Sequence, residues 1–135
     1  MGISKIVIGY DPSDRARRAL DTGVELATAL EAEVHIVTAF DDSPSGGVVI
    51  TPERQRAEQR LAAATTGTPR PKATIHEHAI PGRPADVIVR VATETGADII
   101  VIGNRGAQGP GRVLGSIASA VMGHAPCHVL VVKTT

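Results

Sequence analysis

The chain has 135 residues, 42% of them hydrophobic, which suits one domain with one sizeable core. Lys plus Arg and Asp plus Glu number 14 each, so no net field draws the protein to nucleic acid or to an anionic membrane. Tyr10 and Phe40 are the aromatic residues, too few for a base-stacking platform, and the single Cys127 leaves no internal disulfide framework or multi-cysteine zinc site.

The opening "MGISKIVIGYD" has no signal-peptide cleavage region and runs directly into a strand pattern. No apolar run approaches the ~20 residues of a membrane span, so a cytoplasmic protein without a membrane partner is expected. Lys5 to Tyr10 reads as a buried β-branched strand, broken by Asp11, Pro12 and Ser13. Ser13 can cap a helix from Asp14, where Ala16, Ala19, Leu20, Gly23, Val24, Ala27 and Leu30 recur at helical spacing. Val34 to Phe40 reads as the second strand, and "DDSPSGGVVI" as a turn-rich loop. Thr51 and Pro52 open a mostly polar helix to about Ala64, with Ala57 and Leu61 as its inward contacts. Thr74 to Ile80 is a weakly patterned third strand. Pro84 starts a helix whose Ala85, Ile88, Val91, Ala92 and Thr95 share a face, closed by Gly96. Asp98 to Ile102 reads as a fourth strand, Ser116 to about Gly123 as a short helix, and Cys127 to Lys133 as a fifth strand.

Strands alternate with helices, and most strands are apolar throughout. That is the pattern of an α/β domain, residues 1–135, with an open parallel sheet covered on both faces. Ligands of such sheets bind beyond the carboxyl ends of the strands, where strand order reverses. Gly9 to Asp11, Ala39 to Asp41 and Gly103 to Gly106 are then expected to share one crevice.

The stretch "IIVIGNRGAQGPGRVLGSIAS" from Ile99 carries the strongest chemical signal. It runs from strand through Gly103, Gly106, Gly109, Gly111 and Gly115 to a helix start at Ser116. Glycines let backbone approach an anion, and the free N–H groups of a helix N-terminus point at its charge. The alternative is a plain flexible turn. No lysine lies between Gly103 and Ser116, so this is not a Walker-type loop, and its place after the fourth strand speaks against a nicotinamide fingerprint. Asp11 can accept a ribose hydroxyl or help hold a metal on the phosphates, or it can be a turn aspartate that shares capping with Ser13. Arg105 and Arg112 are the cations of the loop and can pair with phosphate. His76 and His78 flank Glu77 on one strand face, but a third metal ligand is not evident, and His35, His124 and His128 show no ligand spacing. Cys127 reads as a small buried hydrophobe, and no catalytic triad can be argued. The closing "VLVV" reads as an edge strand that a twin copy could cover.

Three segments together resemble the universal stress protein family over nearly the whole chain: "YDPSDRARRAL", then "PGRPADVIVRVA" before "ADIIVIGNRG", then "LGSIASAVMGHAPCHVLVVK". The nucleotide-binding branch of that family carries G-x2-G-x9-G-[S/T] after a "DxIVxG" strand. The matching positions are Gly103, Gly106, Gly115 and Ser116, with residues 107 to 114 one short of the usual nine. The resemblance implies a Rossmann-like sheet of five parallel strands in the order 3-2-1-4-5 and a homodimer through the last strand. It implies an adenine nucleotide as ligand, foremost ATP with or without Mg2+, with AMP or cyclic AMP as alternatives. By the same resemblance Gly9, Asp11 and the Ala39 backbone lie near adenine and ribose, and Gly103, Asn104, Arg105, Gly106, Gly115, Ser116 and Ile117 match ribose and phosphate contacts. A binding or signalling protein in stress response is implied more than an enzyme. A nucleotide-free interaction module and a slow ATPase are the rival classes.

Overall fold

The β-branched segments form strands β1 (Lys5–Gly9), β2 (Glu33–Phe40), β3 (Ile75–Pro81), β4 (Ile99–Gly103) and β5 (His128–Val132). Between them lie α1 (Asp14–Leu30), α2 (Pro52–Thr66), α3 (Pro84–Thr95) and α4 (Ser116–His124). The computed structural model describes residues 2–10, 14–41, 52–66, 75–104 and 115–133. The expectations that rest on Asp11, Ser13, Thr51, Arg105, Gly106, Gly109, Gly111 and Arg112 lie outside the described residues.

All strand pairs are parallel, in the order β3-β2-β1-β4-β5. The central strands are apolar on both faces because helices cover both. On one side Ile6, Ile8 and Ile36 pack with Leu20, Val24 and Ala27 of α1 and Leu61 of α2. On the other, Val7, Val37, Ile100 and Ile102 pack with Val87, Ile88 and Val91 of α3 and Ala118 and Val121 of α4. Ala57 and Leu61, the two inward positions expected of the polar second helix, are 3% and 2% exposed and anchor it.

Element ends follow local chemistry. Pro84 stands at the first turn of α3, where its missing N–H costs nothing. Gly96 closes that helix in the left-handed conformation at φ 68°, as its sequence position suggested. α1 instead closes through Glu31 at φ 52°, and Ala32 N–H donates to Ala27 O at 2.9 Å. β4 begins at Ile99, one residue later than the pattern suggested; the Asp98 carboxylate at its entry accepts through Oδ2 from Ser4 N–H at 2.8 Å, Lys5 N–H at 3.1 Å and Ser4 Oγ at 3.1 Å.

Candidate functional site

Strand order reverses between β1 and β4, which pair through Ile8 and Val101. Gly9 and Gly103 stand at their adjoining carboxyl ends, the place where an open α/β sheet offers a crevice. A Cβ on Gly9 would lie 2.7 Å from Ile88 Cδ1 and 3.0 Å from Ile102 Cγ2, so a larger residue here would make the Ile88 side chain of α3 shift.

Asn104 ties this end of the sheet together. Its N–H donates to Val132 O of β5 at 3.1 Å, and its side-chain Oδ1 accepts from Gly115 N–H at 3.1 Å. The two ends of the glycine-rich segment, at a strand exit and a helix entry, are therefore held side by side. Gly115 is the extended residue before α4, and the first intrahelical bond runs from Ser119 N–H to Gly115 O at 2.9 Å. The N–H groups of Ser116, Ile117 and Ala118 precede that ladder and aim back along the helix axis, where the helix dipole is positive. Ser116 is exposed and Ile117 is half-buried against the α3 side of the core. The structure thus brings Gly103, Asn104, Gly115, Ser116 and Ile117 to one corner beside Gly9. Ala39 lies at the end of β2, two strands over from β4, or about 10 Å at ordinary strand spacing.

Ala39 lines a cavity of about 410 Å³ with Phe40, Asp41, Gly82, Arg83 and Pro84. The turn residues of that wall were not singled out from sequence. Gly82 has φ 139°, which glycine reaches freely, and its N–H donates to Phe40 O at 3.0 Å. This turn carries the exposed Arg83 into the first turn of α3, adding a cation to the rim. The available signal was "PGRP", a glycine and a cation directly after a strand.

A second polar cluster lies at the other end of β2 and β3. The register pairs His35 with His76 and Val37 with His78. His35 is 7% exposed and stacks on both histidines, with ring centroids 4.6 Å from His76 and 5.2 Å from His78. Its Nδ1 shares a hydrogen bond with His78 Nε2 at 2.9 Å. Glu33 reaches His76 Nε2 with Oε1 at 3.0 Å and His35 Nε2 with Oε2 at 3.3 Å. The expectation that His76 and His78 share a face is met. His35 shows no ligand spacing along the sequence, but parallel pairing of β2 with β3 stacks it on the other two, and Glu33 and His35 stand beside His76 as the further donors the sequence left unseen. Burial pushes the His35 pKa down against the pull of Glu33, and burial with the neighbouring imidazoles does the same to His78. The Glu33 carboxyl is held below its usual range by His35 first, then by His76, against the opposing effect of burial.

Cys127 is half-buried and packs against the α3 side of the core. Burial and the nearby Asp98 charge raise its thiol pKa, which suits the expected small hydrophobe rather than a nucleophile. Among the described residues no helix is long and apolar enough to cross a membrane.

Residues 2–133 match the model of the universal stress protein family. A universal stress protein of Thermus aquaticus is 35% identical over 137 residues, covering 95% of this chain and 97% of that protein. Among solved structures, a universal stress protein in complex with cAMP is 32% identical, has a TM-score of 0.72, and is matched over 100% of both chains. The universal stress protein from Archaeoglobus fulgidus in complex with dAMP is 30% identical with a TM-score of 0.73, matched over 98% of this chain and 100% of that one. A strand order of 3-2-1-4-5, a glycine-flanked switch point and matches over nearly its full length agree: the chain belongs to the universal stress protein family.

Proposed function

We propose that this protein binds an adenine nucleotide across the carboxyl ends of β1, β2 and β4, with ATP as its main ligand, and acts as a cytoplasmic binding or signalling protein in stress response. The observation that carries the reading is the Asn104 Oδ1 to Gly115 N–H hydrogen bond, which sets the start of α4 against the end of β4 at the switch point. Phosphates would meet the leading N–H groups of α4 and the loop amides from Gly103 to Gly106, with Arg105 as counter-charge. Adenine would lie toward Ala39, and Asp11 would take the ribose or a Mg2+ carried by the phosphates. The complexes of relatives with cAMP and dAMP support an adenine ligand and favour cyclic AMP as the second reading. Hydrolysis of bound ATP would be slow, since residues 103–116 contain no lysine of the Walker kind.

Titration calorimetry with ATP plus magnesium, AMP and cyclic AMP tests this reading. ATP should bind with micromolar affinity, about 8 kcal/mol. Gly106→Val should abolish it by filling the phosphate approach, and Asn104→Ala should weaken it about tenfold by releasing the helix start. Tighter binding of cyclic AMP than of ATP would assign a second-messenger role. Absence of heat with every nucleotide would sink the proposal and favour an interaction module.

A further inference from the structure

Glu33 lies six positions before Ala39 along β2, roughly 20 Å of strand, so the amino-end ligands of the histidine cluster stand apart from the nucleotide crevice. We propose that Glu33, His35 and His76 form a binding site for a divalent transition-metal cation of the zinc class, with His78 as a positioning residue. The ligand atoms of Glu33, His35 and His76 all lie within 4.8 Å of one another. Tetrahedral zinc with 2.0–2.1 Å bonds to nitrogen sets its donors about 3.3 Å apart. The Glu33 contacts to His35 at 3.3 Å and to His76 at 3.0 Å already have that spacing.

The state of His35 is the sharper clue. Its Nε2 is buried and makes no hydrogen bond, although Glu33 Oε2 lies 3.3 Å away. Its other nitrogen is engaged by His78. When Nδ1–H donates to His78, the Nε2 lone pair faces a carboxylate oxygen 3.3 Å away and a cation would bridge the two acceptors; the other tautomer aims Nε2–H at Glu33. A second-side hydrogen bond that fixes tautomer and ring orientation is the usual support of a metal-bound imidazole.

The two halves of the site differ in freedom. His35 is 9% exposed at its side chain and held by stacking, whereas the His76 side chain is 42% exposed. The His35 and His76 rings lie within 14° of parallel, so coordination requires His76 to turn its ring edge toward the ion while His35 stays in place. Two imidazole nitrogens with one carboxylate suit zinc, nickel or cobalt better than magnesium or calcium, which prefer all-oxygen shells. The Glu33 charge offsets half of the ion's, and water completes the shell on the exposed side. Lys5, the register partner of Glu33, has its ammonium drawn to Thr95 O at 3.0 Å.

The test uses the full chain, stripped with chelator and titrated with zinc chloride by calorimetry and with cobalt chloride by visible absorption. One ion per chain and the absorption bands of four-coordinate cobalt are expected. His76→Ala and Glu33→Gln should each weaken zinc about tenfold or more, and His78→Phe should weaken it less, with melting temperatures in chelator reported for every variant. A His124→Ala/His128→Ala double variant should bind zinc as the parent does, and ATP affinity should be the same in His76→Ala and parent. His76 is half-buried where His35 is buried, so its variant should fold even if one at His35 does not. No uptake of micromolar zinc, or uptake that His76→Ala leaves unchanged, overturns the proposal.

Discussion

Asp98 illustrates how much one side chain can decide. A single carboxylate oxygen accepts three hydrogen bonds from Ser4 and Lys5, so the chain entry into β1 is fastened to the entry into β4. Those backbone donors favour the charged form and hold the Asp98 pKa below its ordinary 3.8. The sign follows from linkage. A carboxyl with a depressed folded-state pKa adds stability that is fully present above the unfolded value and is lost as pH falls through the folded one. Asp98→Ala should therefore melt at a lower temperature than the parent at neutral pH, and the gap should narrow as pH drops below about 3.8. Thermal melts over a pH series check this, and a gap that stays constant into strong acid would contradict it.

At the scale of elements, α1 approaches the sheet most closely at Gly23. A Cβ there would run into Ile8 Cδ1, would lie 2.7 Å from Ile8 Cγ1, and would touch Val101 Cβ at 3.7 Å. Alanine favours a helix over glycine by about 1 kcal/mol, whereas overpacking a closed core costs about 1–3 kcal/mol. Ile8 is 0% exposed and has nowhere to move, so packing wins. Gly23→Ala should lose about 1–2 kcal/mol, read as a lower urea midpoint at unchanged slope, with part of the loss recovered by adding Ile8→Val. A rise in the midpoint would show that helix propensity dominates. Elsewhere local signals suffice: among the described residues of the mostly polar α2, Ala57 and Leu61 lie deep in the core, and the helix sits where those two place it.

For the whole molecule, strand order leaves β5 at one edge of the sheet. Val129 and Val131 turn inward to the α3 side of the core, while Leu130 stays 37% exposed and Met122 of the neighbouring α4 stays 51% exposed. An apolar parallel edge invites pairing, and a two-fold axis through β5 would pair its outer N–H and C=O groups with those of a second copy. On this proposal the protein is a homodimer in solution, and Leu130→Lys shifts it to monomer without loss of fold. Light scattering on a sizing column reads both states. A monomeric parent would reject the arrangement.

Sequence alone determined what depends on near neighbours: the alternation of strand and helix, the apolar runs that demand cover on both faces, Pro84 and Gly96 at the ends of α3, and a glycine-rich strand exit before Ser116. These are legible because helical and strand periods and end chemistry act over a few residues. Tertiary structure decided what depends on register and crossover. His35 and His76 are far apart in the chain, and parallel pairing of β2 with β3 makes them neighbours, so no spacing along the sequence announced the contact of His76 with Glu33. The same holds for Asn104 closing on Gly115 and for Gly82, Arg83 and Pro84 forming a wall with Ala39. A strand can slide by one residue without changing its own pattern, yet every cross-strand partner changes with it. The site chemistry of this protein was set at that level.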